Sequence, residues 1–82
     1  MSSEVDVDDT IEGIIADRLR VDRSAFDDDT PFDGETLDAD SLDVVEAAEA
    51  VDMNLGVHVP DAELEAIETV GELKSFVRAE LG

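Results

Sequence analysis

Eighty-two residues and 8.8 kDa make one small domain, expected to span 1–82 with no room for a second core. Five lysines and arginines stand against 24 aspartates and glutamates, a formal charge of −19, which excludes a sequence-blind grip on nucleic acid and disfavours an anionic membrane surface. Cysteine is absent, so there is no disulfide, thiolate nucleophile or zinc-thiolate site, and no apolar run approaches the ~20 residues of a membrane helix.

Met1–Val7 lacks the basic start of a secretory leader and is expected to be a flexible N-terminus, so the chain reads as soluble and cytoplasmic. High charge with low hydrophobicity would mean disorder. Here, however, 43% of residues are hydrophobic, and they fall at helical spacing. Aspartate outnumbers glutamate by 14 to 10 and the one lysine is Lys74, a bias that resembles proteins of salt-loving organisms.

Ile11, Ile14, Ile15 and Leu19 recur at three- and four-residue steps, predicting a first helix over about 8–20. Asp8 and Asp9 are placed at its start and Arg18 and Arg20 near its end, where their charges suit the helix dipole. From Val21 to Asp40 the periodicity disappears; Asp27–Asp29, Thr30-Pro31 and Asp33-Gly34 are turn signals. Val21, Phe26, Phe32 and Leu37 are expected to peg this long loop to the core. A second helix fits Ser41 to about Leu55, capped by Asp40 or Ser41 and stopped by Gly56. Its core arc is Val44, Ala47, Ala48, Val51 and Leu55; its solvent arc is Leu42, Asp43, Glu46, Glu49, Ala50 and Met53. Pro60-Asp61 opens a short helix at about 61–67, and Thr69-Val70-Gly71-Glu72 has the capping-box spacing for a last helix running to about Glu80. Val57 and Val59 suit a strand, but nothing else in the chain offers it a partner. The fold class expected is all-α: a four-helix bundle with three longer helices, one short one and a long first loop.

The most informative segment is Leu37-Asp38-Ala39-Asp40-Ser41-Leu42-Asp43-Val44-Val45-Glu46. Taken alone, serine and aspartate at a helix start are ordinary caps. The segment opens a helix of about fifteen residues, Val59-Pro60-Asp61 follows about eighteen residues after Ser41, and Thr69-Val70 then opens the last helix. That arrangement resembles the acyl carrier protein family from Ile11 to Leu81.

The resemblance implies a four-helix bundle that is not an enzyme and carries acyl intermediates as thioesters, for fatty acid, polyketide or related lipid biosynthesis. It implies that Ser41 bears a covalent 4′-phosphopantetheine derived from coenzyme A, with Asp40 flanking it. It also implies that Leu42, Asp43, Glu46, Ala50 and Met53 meet partner enzymes. Those partners are a phosphopantetheinyl transferase and acyl-transferring and synthase enzymes with basic patches. The core between helices one, two and four is expected to shelter an acyl chain, near Val44, Ala47, Ala48, Val51 and Leu55. The chain departs from the family pattern in having Asp38 where glycine is common and Glu49 where an apolar residue is. Its first loop is also about one residue longer.

Rival readings come from other classes. Asp29, Asp33, Gly34 and Asp40 fall at the first, fifth, sixth and twelfth places of a calcium-binding EF-hand loop. Pro31 takes the third place, where an oxygen ligand is needed. A nucleic-acid mimic fits the charge but does not explain Ser41 at its helix start. A hydrolase is the poorest fit: Ser41 lacks the Gly-x-Ser-x-Gly elbow, and the one histidine is His58, between two valines. No metal site is expected, and the default state is a monomer.

Overall fold

The computed structural model describes the backbone of residues 3–82 and the side chains from Val7 onward. Its helices, in chain order, are α1 (Ser3–Leu19), α2 (Ser41–Leu55), α3 (Asp61–Ala66) and α4 (Val70–Leu81). A single turn of 3-10 helix, Arg23–Ala25, interrupts the long connection after α1. The expected all-α architecture is thus observed, three longer helices and one short.

The first boundary needs correction. α1 begins at Ser3 rather than near Asp8, so residues 3–7 of the stretch expected to be flexible are helical, and residues 1 and 2 lie outside the described residues. Val7 extends the apolar stripe of Ile11, Ile14 and Ile15 by one turn and is itself buried. Asp8 and Asp9 serve another purpose than starting a helix. Asp8 pairs with Arg78 of α4, and Asp9 with Arg23 at 2.6 Å. Arg20 ends the helix in the left-handed region at φ 58°, and the Val21 N–H closes the turn on the Ala16 carbonyl at 3.1 Å.

The loop pegs are in place: Phe26, Phe32 and Leu37 are buried and Val21 partly so. The sequence did not announce that residues 28–32 pair by backbone with the approach to α4. The Phe32 N–H donates to the Glu68 carbonyl at 2.9 Å, Val70 N–H to Thr30 at 3.1 Å and Gly71 N–H to Asp28 at 2.8 Å. Among the described residues this yields only an isolated antiparallel bridge, Pro31 to Thr69. Gly71 is required there, because a Cβ would lie 2.9 Å from the Asp28 carbonyl oxygen. Val57 and Val59 are buried but lie in a segment outside any helix or strand.

α4 starts on the predicted box: Glu72 N–H donates to Thr69 Oγ1 at 3.3 Å and Thr69 N–H to Glu72 Oε1 at 3.0 Å. Val70, Leu73 and Val77 turn inward, and Leu81 is exposed. The core lies where α1 packs against α2 and α4, with Ile11, Ile15, Val51, Val70 and Val77 fully enclosed. One charged side chain joins them, Lys74, 4% exposed.

Candidate functional site

The segment before α2 is folded tightly. Asp38 adopts φ 46°, the left-handed turn for which glycine would be the ordinary residue, and its N–H donates to the Gly34 carbonyl at 2.7 Å. Aspartate is among the few side chains that tolerate this region. Ala39 is buried and donates its N–H to the Phe32 carbonyl at 2.8 Å. Asp40 is then the cap of α2: its Oδ1 accepts the Asp43 N–H at 2.9 Å, and Asp43 Oδ2 accepts the Asp40 N–H at 3.3 Å.

This reciprocal box resolves the choice between Asp40 and Ser41. Ser41 is the first helical residue, exposed, and its hydroxyl is not needed for capping. It stands on the helix end whose unpaired N–H groups favour negative charge, the sign a phosphate bears.

A cleft of about 710 Å³ opens beside Ser41, between the long loop, the first turns of α2 and the short α3. Phe32, Ala39, Val44, Val45, Leu64 and Ile67 give it apolar walls; Asp33, Asp40, Asp61, Glu65 and Glu68 contribute its carboxylates. The cleft takes no lining residue from α1 or α4, so it is distinct from the core region expected to shelter an acyl chain. Of the five acyl-pocket candidates only Val44 lines the cleft. Ala47, Ala48 and Val51 are packed in the core, and Leu55 lies at its edge. α2 is turned so that its buried arc centres nearer Ala47 than Val44, which leaves Val44 half-buried and facing the cleft.

The same rotation corrects the outer face. Leu42 and Met53 are 64% and 85% exposed and Glu46 and Glu49 stand beside them, as expected. Ala50 does not: it is 4% exposed and belongs to the core. It sits at the margin of the two arcs, and its small side chain is covered once Ala47 and Val51 seat against the other helices. Val45, which the spacing assigned to neither arc, is instead half-open at 36% and borders both the cleft and Leu42. Asp43 is half-buried by its capping role.

The rival sites do not assemble. Among the described residues no group of three or more histidines, aspartates or glutamates is gathered to hold a metal ion. Asp27 turns back on its own loop, accepting the Asp29 N–H at 3.0 Å and the Thr30 hydroxyl at 3.2 Å. His58 is exposed, with Nδ1 3.8 Å from Asp52, and does not line the cleft that holds Ser41.

Comparison with known proteins adds independent findings. A family model described as the phosphopantetheine attachment site matches residues 9–77. The chain is similar to an acyl carrier protein of Lactobacillus acidophilus, 36% identical over 80 residues that cover 98% of this chain and 99% of the relative. It is likewise similar to an acyl carrier protein of Thermotoga maritima, 35% identical over the full length of both chains.

Proposed function

The chain belongs to the acyl carrier protein family, and on that premise we propose that Ser41 is the residue to which its 4′-phosphopantetheine is attached. The protein is a carrier and not an enzyme, and the prosthetic group is covalent. The observation that carries the assignment to Ser41 is the Asp40–Asp43 box. It satisfies the helix start and leaves an exposed primary hydroxyl on the first helical residue, at the mouth of a partly apolar cleft.

The residues fit the group. The N-terminal amides of α2 suit a phosphodiester, and the cleft walls suit a flexible, partly apolar arm. Once attached, the group supplies the thiol that a chain without cysteine lacks. In the attachment step the Ser41 oxygen bonds to the β-phosphorus of coenzyme A, and the bond to 3′,5′-adenosine bisphosphate breaks. The transferase takes the serine proton. Asp40 holds the helix start in place and offers its second carboxylate oxygen to the transferase and its magnesium.

Leu42, Val45 and Met53 form the apolar part of the docking face, and Asp43, Glu46 and Glu49 the acidic part. Their partners, the transferase and the acyl-handling enzymes, present basic patches that the carboxylates steer and orient. Methionine at position 53 adapts to several such surfaces. The acyl cargo, of fatty acid, polyketide or related lipid synthesis, lodges against Val44, Leu64 and Ile67 in the cleft. We place the carrier in the cytoplasm, as a monomer, of a salt-loving host; no helix among the described residues is long and apolar enough to cross a membrane.

The test is intact mass after incubation with coenzyme A, magnesium and a broad-specificity phosphopantetheinyl transferase, beside Ser41→Ala, at low and high salt. One phosphopantetheine increment on the native chain and none on the variant is expected. An increment retained by Ser41→Ala would move the attachment site elsewhere.

A further inference from the structure

Lys74, on α4, is the one lysine of the chain, and it is buried. Its Nζ donates to Glu12 Oε2 of α1 at 2.5 Å and to Asp28 Oδ1 of the long loop at 2.6 Å. The two carboxylates keep solvent access, with side chains 35% and 61% exposed, so the desolvated member of the trio is the ammonium. An ammonium so enclosed is costly when unpaired, and apolar side chains in place of buried ion groups are often neutral or stabilising. Stability therefore does not account for a lysine here. Directional bonds to two other elements do: they fix where the loop lies on the bundle.

From Asp28 an unbroken series of backbone bonds leads to the helix start. The Asp28 carbonyl accepts the Gly71 N–H at 2.8 Å, Thr30 accepts from Val70 at 3.1 Å and Phe32 donates to Glu68 at 2.9 Å. The Phe32 carbonyl then accepts the Ala39 N–H at 2.8 Å, and Ala39 adjoins Asp40, the cap before Ser41. Phe32 and Ala39 also wall the cleft.

We propose that Lys74 is a positioning residue. By holding Asp28 between α1 and α4 it sets the register of the 28–32 ribbon against residues 68–71. The ribbon in turn fixes the cleft wall and the segment that presents Ser41. The link to Ser41 rests on the attachment reading; the clamp itself does not. Burial lowers the ammonium's pKa, but the bonds to Asp28 and Glu12 outweigh that and hold it above the ordinary 10.5, so the clamp is charged throughout the neutral range.

Amide hydrogen exchange on the apo protein tests the clamp, and transferase kinetics test its reach. Lys74→Met is expected to keep the helical circular dichroism. Exchange at Phe32, Ala39, Val70 and Gly71 rises about tenfold, the size of one lost charge-assisted bond, and Val51 of α2 stays unchanged. The kcat/KM for phosphopantetheine transfer falls by a similar factor, chiefly through KM, because the presenting conformer is less populated. Lys74→Arg, which keeps the charge, loses less. Asp28→Asn weakens only the loop limb and leaves the ammonium with Glu12, so it reads the clamp even if Lys74→Met fails to fold. Unchanged exchange at the four amides in a folded variant overturns the proposal. So does exchange raised equally at Val51, which is plain global destabilisation. Raised ribbon exchange with unchanged transfer kinetics overturns the positioning of Ser41. Ser41→Ala separates the two readings: were it still modified while Asp28→Asn loosened the ribbon, the attachment assignment would fall and the clamp would stand.

Discussion

Asp40 and Ser41 are neighbours in sequence, yet only Asp40 caps α2, so if Ser41 is the attachment residue as proposed, their alanine variants should fail in opposite ways. Asp40→Ala removes the 2.9 Å bond to the Asp43 N–H and a carboxylate from the positive end of α2. An N-cap loss costs about 1 kcal/mol, and the lost charge at a helix start about 0.3–1 kcal/mol more. The sum, about 1–2 kcal/mol, corresponds to a fall in Tm of roughly 4–16 °C for a domain of this size. Ser41→Ala removes no capping bond and places the best helix former on the first helical residue, so its Tm should stay within about 2 °C of the native value. Modification should show the reverse pattern. Asp40→Ala keeps the hydroxyl and still accepts phosphopantetheine, at reduced rate; Ser41→Ala accepts none. Thermal circular dichroism of both apo variants, at pH 7 and one salt concentration, is read beside intact mass after transferase treatment. If Ser41→Ala melts as early as Asp40→Ala, the serine hydroxyl is part of the cap and the argument for its availability is refuted.

Gly71→Ala would set a methyl 2.9 Å from the Asp28 carbonyl oxygen; a loss of about 1–3 kcal/mol is expected in a denaturant melt, as for overpacked sites. The raised pKa of Lys74 means its ionic contribution is fully present below the ordinary value of 10.5 and is lost only as pH climbs through the folded value. Between pH 7 and pH 10 this group should therefore leave stability unaltered, and the difference between native and Lys74→Met melts should change only at more alkaline pH. On the docking face, ~1 M salt shortens electrostatic range to about 3 Å, so Leu42→Ala should weaken partner binding at high salt more than Asp43→Asn, whose amide still offers an acceptor to the Asp40 N–H. Calorimetric titration with the transferase checks this, and a larger loss from the aspartate variant contradicts it.

What the sequence disclosed and what it concealed divide by the range of the interactions. The starts of α2 and α4 were legible because both caps are closed by residues three positions apart, Asp40 with Asp43 and Thr69 with Glu72. The start of α1 was not, because Asp8 and Asp9 answer to Arg78 and Arg23, far along the chain. The pairing of residues 28–32 with 68–71 is made by backbone groups, which leave no side-chain pattern to read. Ala50 was misplaced since a helical wheel gives the width of an apolar arc, and only the packing of α1 tells where its centre lies. Lys74 did leave a signal. It falls four residues after Val70 and three before Val77, on the buried stripe of α4, where a charged side chain needs a partner. In the candidate site, Ser41, Asp40 and the Leu42–Met53 face were visible locally. The cleft was not, since Phe32, Leu64 and Ile67 converge only in three dimensions.

The distribution of the few cations joins the fold to its function. Arg23 binds Asp9, Arg78 binds Asp8, and Lys74 binds Glu12 and Asp28. All three therefore tie α4 or the long loop to α1, and none involves a residue of α2. α2 contains no lysine or arginine, and Asp43, Glu46, Glu49 and Asp52 along it have no arginine or lysine ion partner among the described residues. The chain thus neutralises carboxylates where they would otherwise push α1, the loop and α4 apart, and leaves them unneutralised beside Leu42, Val45 and Met53. The result is an acidic helix face with exposed apolar side chains, the charge pattern that the proposed docking to a basic partner surface requires. On the proposed attachment at Ser41, the internal ion pairs secure the scaffold that would present this serine to such a partner.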